Sequence, residues 1–300
     1  LAMPRISLAQ TSKILRFKPN SDLTILDPIA TSAFVTRYHA YLTFDTLYGQ
    51  DSQFNPHPQM VDGHVIENDG LVWRLRLRDG LKFHDGEPVL ARDCVASINR
   101  WAQVDAFGQA LLAVTDELSA PSDSEIVFRL SRPFPLLPAA LGKSSTFIPV
   151  IMPERLASQG ISQPITEMIG SGPFRYVAAE RVPGQLTIYE KFTEYRPRPD
   201  GAADYTPGPK IAHVDRVEWR VIPDQATAAA SLQAGEIDWF EDPITDLVPM
   251  LEADPNVVVE TVGELGNMGI IRFNHLQPPF DRPEMRRAVA KVVSQTEIMQ

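Results

Sequence analysis

The stretch Arg74–Trp101, RLRLRDGLKFHDGEPVLARDCVASINRW, sets His84 beside Asp85 in an Asp-Gly turn. A histidine oriented by a carboxylate is the base of many hydrolases. Neighbours in an extended chain point to opposite faces, however, so these two side chains are not expected to meet. Asp85 is expected to bond the backbone of its own turn.

The histidines are His39, His57, His64, His84, His213 and His275, and none stands at H-E-x-x-H or zinc-finger spacing. His57 and His64 lie among Pro, Asp and Gly and read as surface-loop histidines. Leu141–Ser145, LGKSS, lacks the glycine five residues before Gly142 that a phosphate loop needs, since residue 137 is Leu. Gly263, Gly266 and Gly269 do not form GxGxxG, and no G-x-S-x-G elbow occurs. The one cysteine, Cys94, excludes an internal disulfide and reads as a small buried hydrophobe. The acidic run GEIDWFED brings Glu236, Asp238, Glu241 and Asp242 together around Trp239. A pair of these could serve a hydrolase acting on an extracellular polymer; a solvated strand end is the plainer explanation. The residues therefore leave two readings, that hydrolase and a binding module that performs no reaction.

The elements that would position these groups follow from periodicity. Trp73, Leu75 and Leu77 alternate with arginines, which predicts a half-exposed strand. Asp79-Gly80 then predicts a tight hairpin returning through Leu81–Phe83. Leu90, Cys94, Ile98 and Trp101 recur at helical intervals. Residues 34–48 carry Phe34, Tyr38, Tyr41, Leu42 and Tyr48 on roughly one helical face. Ile14–Phe17, Glu125–Leu130 and Thr187–Tyr189 read as strands. Tyr195–Lys210 is proline-rich and reads as a surface loop. From Val214 strand and helix alternate: Val214–Val221, Ala226–Ala234, Ile237–Phe240, Leu247–Leu251, Val257–Glu260, then Ile270–Phe273 and a last helix. That alternation predicts an α/β fold with parallel packing.

With 300 residues the chain has room for about two domains. A net charge of −10 without a basic block argues against nucleic acid as partner. No run of about 18 apolar residues is present to form a membrane helix. Ser7-Leu8-Ala9 before Gln10 fits a signal-peptidase site, so residues 1–9 are expected to be a signal-peptide remnant. Met285, Val289, Val292 and Val293 keep helical spacing and the sequence ends at Gln300 without a cap, as a truncated chain would.

Several segments, in order, resemble the family 5 extracellular solute-binding proteins, the peptide/nickel-type receptors of ABC importers. They are Thr24–Pro28 (TILDP), Lys82–Gly86 leading to Ala91–Asp93, Ile169–Tyr176 (IGSGPFRY), Leu232–Asp238 (LQAGEID) and Asn274–Val289. The resemblance implies a type II periplasmic-binding-protein fold, a two-lobed clamp with an extra subdomain. It assigns 10–48 and 169–262 to a discontinuous lobe I, 49–168 to the accessory subdomain and 263–300 to the start of lobe II. Asp85 and Gly86 then set a turn, Asp93 starts or caps a helix, and Gly172 serves a backbone conformation.

The same resemblance implies a periplasmic or otherwise extracytoplasmic receptor, monomeric, that captures a peptide-like or other small solute between its lobes and delivers it to a membrane permease. It implies no catalysis, no cofactor and no resident metal. Within this chain the expected solute contacts are loops at strand ends: Ile29, Ala30, Thr31, Ser32 and Phe34 after the first strand, Trp239, Phe240 and Glu241 after AGEID, and Asn274 and His275 ending the strand into lobe II. Local packing or turn bonding would explain the same residues.

Overall fold

A computed structural model describes residues 13–262 and 270–298, so residues 1–9 and the boundary at Gly263 lie outside the described residues. From the amino end come β1 (Ile14–Lys18), α1 (Phe34–Thr43), β2 (Asp45–Thr46), β3 (Tyr48–Gln50), β4 (Pro56–Pro58), β5 (Val61–Glu67) and β6 (Val72–Leu77). Then follow α2 (Ala91–Trp101), α3 (Ala106–Leu112), β7 (Thr115–Ser119), β8 (Glu125–Leu130), α4 (Leu137–Leu141), β9 (Val150–Ile151), α5 (Glu154–Ala157), β10 (Phe174–Tyr176) and β11 (Leu186–Lys191). The chain continues with β12 (Arg216–Arg220), α6 (Gln225–Gln233), β13 (Trp239–Phe240), α7 (Val248–Glu252), α8 (Pro283–Val292) and α9 (Gln295–Ile298). It divides into two units, Leu1–Val258 and Val259–Gln300.

A five-stranded sheet of order β10-β11-β12-β1-β13 organises the first unit. β1 runs parallel to β12 and β13, while β10, β11 and β12 pair antiparallel, so the sheet is mixed rather than parallel throughout. Side chains of a strand alternate between faces. Phe17 accordingly joins the cluster under α1 with Val35, Phe44, Tyr189 and Trp219. Phe240 joins the opposite cluster with Ala228, Ala229, Ile237 and Leu251 from α6 and α7. His39 is buried beneath α1, its ring nitrogens 2.9 Å from the Tyr189 hydroxyl and 3.3 Å from Met168 Sδ. Burial, with Arg181 and His84 nearby, pushes its pKa down to about 3.

A second sheet, of order β5-β6-β8-β7, packs against α2. Trp73, Leu75 and Leu77 of β6 are buried, as their alternation predicts, and so are Cys94, Ile98 and Trp101 of α2. Burying one large apolar side chain is worth about 1.5–3 kcal/mol, so this stripe is what holds α2 down. The predicted hairpin at Asp79-Gly80 does not form. Both edges of β6 are already taken: it pairs with β5 on one side and β8 on the other, and beyond it Arg78 N–H donates to Met60. Residues 81–89 instead fold on themselves about Asp85-Gly86, with Phe83 N–H to Glu87 O at 2.8 Å and Val89 N–H to Leu81 O at 3.0 Å. His64 stands on β5, its ring 2.8 Å from the Tyr48 hydroxyl, rather than on a surface loop.

Further expectations are corrected. Residues 257–260 and 270–273 are not strands; among the described residues no neighbouring strand supplies them with a ladder, and a strand exists only through its pairing. The helix from Phe34 stops at Thr43, where Phe44 turns extended and leads into β2. Tyr195–Lys210 carries no regular element and many of its residues are exposed, as a surface loop would be, but its two ends are tied inward. Buried Asp45 accepts from Lys210 Nζ (2.8 Å), Tyr195 Oη (2.9 Å) and Gln59 Nε2 (3.2 Å).

Candidate solute-contact rim

Parallel strands of an α/β sheet gather ligands at their carboxyl ends, where successive connections leave in opposite directions. Here β1 lies between β12 and β13. The chain leaves β1 for α1 on one face, and the β12-to-β13 crossover passes through α6 on the other. The carboxyl ends of β1 and β13 meet in register, Phe17 opposite Trp239 and Lys18 opposite Phe240.

Loop 19–33 is held firmly at that edge. Asp27 Oδ1 accepts from Ile29 N–H (3.2 Å) and Arg100 Nη1 (3.1 Å); its Oδ2 accepts from Arg100 Nη2 (2.6 Å) and Ile165 N–H (3.0 Å). Both side chains of this ion pair are almost fully enclosed. Thr36 Oγ1 donates to Ile25 O (2.7 Å), and Arg181 donates to Leu23 O. The loop therefore presents Ala30, Thr31 and Ser32 from a fixed base. Ala30 and Ser32 are exposed and Thr31 is half-buried, its Oγ1 accepting from Ala33 N–H at 3.2 Å.

On α1, Phe34 is 56 % exposed and the guanidinium of Arg37 lies 4.5 Å over its ring. Tyr38, one residue on, donates its hydroxyl to Glu241 Oε1 at 2.6 Å. Asn20 N–H donates to Glu241 Oε2 at 3.0 Å, and Glu241 N–H to Lys18 O at 3.0 Å. Glu241 thus joins the two loops. Burial first, and then the bond to Glu241, push the Tyr38 hydroxyl up to about 12. Trp239 is 54 % exposed, its inner face 4.7 Å from Phe17. Phe240 points the other way, into the α6 cluster, with Lys18 Nζ 4.7 Å over its ring. Burial lowers the Lys18 pKa, against the opposing influence of Glu241 and Asp242.

The structure therefore ties Glu241 to Asn20 and Tyr38 at the ends of β1 and β13, leaves Trp239 exposed there, and turns Phe240 inward, while Ala30, Ser32 and Phe34 are exposed on loop 19–33 and the start of α1. Asn274 and His275 belong to the second unit, where both are exposed and Asn274 Oδ1 accepts from Leu276 N–H at 3.0 Å. Sequence reasoning missed Lys18, Asn20, Arg37 and Tyr38. Arg37 stands three residues after Phe34, on the face that already carried Phe34, Tyr38 and Tyr41, and that spacing was the available signal.

Neither hydrolytic arrangement is assembled. His84 is buried and faces backbone: Nε2–H donates to Gly172 O (3.1 Å) and Nδ1 accepts from Gly170 N–H (3.4 Å). Burial lowers its pKa to about 4. Asp85 Oδ1 accepts from Glu87 N–H at 3.2 Å, the turn bond expected of it. Asp93 accepts from Leu90 N–H (2.8 Å) at the start of α2 and from Glu154 N–H (2.8 Å). Glu236 takes the Ser231 hydroxyl (3.0 Å) and Asp238 takes Arg16 N–H (2.7 Å), so each carboxylate serves its own neighbour. Gly172 is required for space rather than conformation: its φ is ordinary, but a Cβ there would come within 2.7 Å of Leu42 O. Among the described residues no group of His, Cys, Asp and Glu could hold a metal ion.

Comparison with known proteins gives this geometry a context. Residues 55–300 match the family model described as bacterial extracellular solute-binding proteins, family 5, middle. The chain is 39% identical over its whole length to 56% of a Sinorhizobium fredii protein named "Probable peptide ABC transporter periplasmic-binding protein y4tO". It is 26% identical, over 93% of its length and 51% of the relative, to the glutathione-binding protein GsiB of Pectobacterium atrosepticum. The chain spans about half the length of the curated relatives it matches. Among solved structures, a dipeptide-binding protein of Pseudoalteromonas in complex with Met-Leu superposes with TM-score 0.75 at 19% identity, covering 96% of this chain and 58% of that one. The binding protein MoaA with mannopinic acid, from A. tumefacien R10, gives TM-score 0.75 at 23% identity, covering 96% and 56%. These two likenesses show the fold, that of the type II periplasmic binding proteins.

Proposed function

Because the chain belongs to the bacterial extracellular solute-binding proteins, family 5, we propose that it is part of a receptor that holds a peptide-like or other small solute and passes it unchanged to the permease of an ABC importer. The match over residues 55–300 carries this reading. The rim at the ends of β1 and β13 supports it, because it offers exposed aromatic and polar side chains on a rigid base without an assembled catalytic group. In this reading 10–48 and 169–262 form lobe I, 49–168 the accessory subdomain and 263–300 the start of lobe II. The receptor works outside the cytoplasmic membrane as a monomer, after removal of a signal peptide.

The mechanism is closure of two lobes on a solute that binds the closed state more tightly than the open one. Thr31, Ser32, Phe34, Trp239 and Glu241 supply solute contacts from lobe I. A thermal-shift screen of the full-length protein against di- to tetrapeptides, glutathione, mannopinic acid, free amino acids and nickel tests this. A solute at 100 times its Kd should stabilise the protein by about 2.7 kcal/mol. No shift with any solute class would overturn the receptor reading. Turnover of a polymer, lost on Glu236→Ala or Asp238→Ala, would replace it with the hydrolase.

A further inference from the structure

The sheet of order β5-β6-β8-β7 has two outer edges, and they are built differently. β7 carries the exposed acids Asp116 and Glu117, and its register with β8 breaks between Thr115 and Glu117. Charge and an irregular ladder are what keep an edge from pairing. β5 is guarded only at its start, where Arg198 Nη1 donates to Val61 O at 2.6 Å and Nη2 to Asp62 O at 3.4 Å. From Gly63 to Glu67, among the described residues, neither a second strand nor a side chain takes the outward N–H and C=O groups. Val65 and Ile66 in this stretch are 58 % and 48 % exposed. An open edge that carries branched aliphatic side chains is a template for another strand.

The sequence of β5 fits its own reverse. Antiparallel to a second copy, with a two-fold axis at Val65, Val65 meets Val65, Ile66 meets His64 and Glu67 meets Gly63. No like charges stand opposite each other, and each copy offers the same patch to the other. Gly63 matters here. It lies opposite Arg76 of β6, and the space where its side chain would stand is open. Arg76 is exposed, and among the described residues no carboxylate pairs with it, whereas its neighbour Arg74 holds Glu67 and Glu125. Glu67 meets Arg74 through Oε1 at 3.2 Å, which leaves Oε2 to a further donor. In the paired arrangement Arg76 reaches over Gly63 to Glu67 of the second copy, and the symmetry repeats that contact. We propose that the β5 edge from Gly63 to Glu67 pairs antiparallel with the same edge of a second copy of this chain. The ladder is short, so the contact is weak and reversible, with a Kd on the order of 10⁻⁴ M. This goes beyond the receptor reading: the monomer remains the form in dilute solution, and the ends of β1 and β13 take no part in the contact.

The test is sedimentation velocity of the full-length protein from micromolar to millimolar concentration, with hydrogen exchange at both ends of that range. A monomer should give way to a dimer, and exchange at residues 63–67 should slow only at the high end. Val65→Lys sets two ammonium groups face to face and should weaken dimerisation roughly tenfold or more. Arg76→Glu sets a carboxylate against Glu67 of the other copy and should weaken it by a smaller factor, roughly fivefold. Asp116→Lys changes the net charge more than Val65→Lys does but lies on the guarded edge, and should not weaken the dimer. A monomer throughout the range, or a dimer untouched by Val65→Lys, would overturn the proposal. So would slow exchange at residues 63–67 in the dilute monomer, because another part of the same chain would then cover the edge. Solute binding should be the same in Val65→Lys as in the wild type, so failure of this inference leaves the receptor reading standing.

Discussion

At the seam where loop 19–33 meets α2, Asp27 and Arg100 face each other with 1% and 2% of their side-chain surface exposed, and His84 is pinned between Gly170 and Gly172. At the rim, Phe34 at the start of α1 and Trp239 on β13 are more than half exposed, and Arg37 lies over the Phe34 ring beside Tyr38. The seam uses buried charge and histidine to lock segments far apart in sequence, while the rim leaves aromatic surface exposed. The difference teaches where to look for function: the most conspicuous sequence motif, with its two Asp-Gly turns and His84, is built into the locked region.

The largest effect that would sharpen the contrast is expected from Asp27→Ala. It strands the Arg100 charge and two backbone N–H groups, and should cost about 3–5 kcal/mol in urea unfolding. A loss under 1 kcal/mol would mean that the seam is not locked by this pair. Gly170→Ala comes next. Its Cβ would lie 2.1 Å from Thr43 O, a contact only backbone movement can relieve, and a loss of about 3 kcal/mol is expected.

Acidification is expected to have a smaller effect, located in the same region. His84 and His39 have folded pKa values lowered to about 4 and about 3, below the ordinary 6.5. The unfolded chain therefore takes up these protons first as pH falls. Their contribution is complete above pH 6.5 and is lost progressively as pH falls toward 4, at about 1.4 kcal/mol per unit for each histidine. Unfolding at pH 7 and pH 5.5 should differ by about 2 kcal/mol, and His84→Asn should reduce that difference. Equal stability at the two pH values would show that the histidines are not held neutral.

The smallest stability effect belongs to the rim. Trp239→Ala should cost about 1 kcal/mol or less, mainly its contact with Phe17, while weakening solute binding at least tenfold. A large loss of stability with unchanged binding would make Trp239 a packing residue and erase the contrast.

How much of this was legible in the sequence depended on whether the signal was local. Alternation marked β6, and helical spacing marked α2, because one face of each is buried along its length. β5 was missed because most of its side chains after Val61 are exposed, so Val61–Glu67 shows no alternation. The hairpin at Asp79-Gly80 was misplaced because a turn dipeptide says nothing about whether its strand already has partners on both edges. For the rim, strand-end loops could be named in advance, and Glu241 ties the end of β13 to Asn20 and Tyr38. Phe240 could not be separated from Trp239 without the register that turns it toward α6. The bond of Tyr38 to Glu241 joins residues 203 apart, and no short-range pattern encodes it.

Hydrogen exchange on the full-length protein, with and without the solute that most stabilises it, tests the division between seam and rim most directly. Slowed exchange at residues 29–38 and 239–242, with residues 81–89 unchanged, is the predicted result. Protection centred on residues 81–89 and 166–178, with the ends of β1 and β13 unaffected, would contradict it.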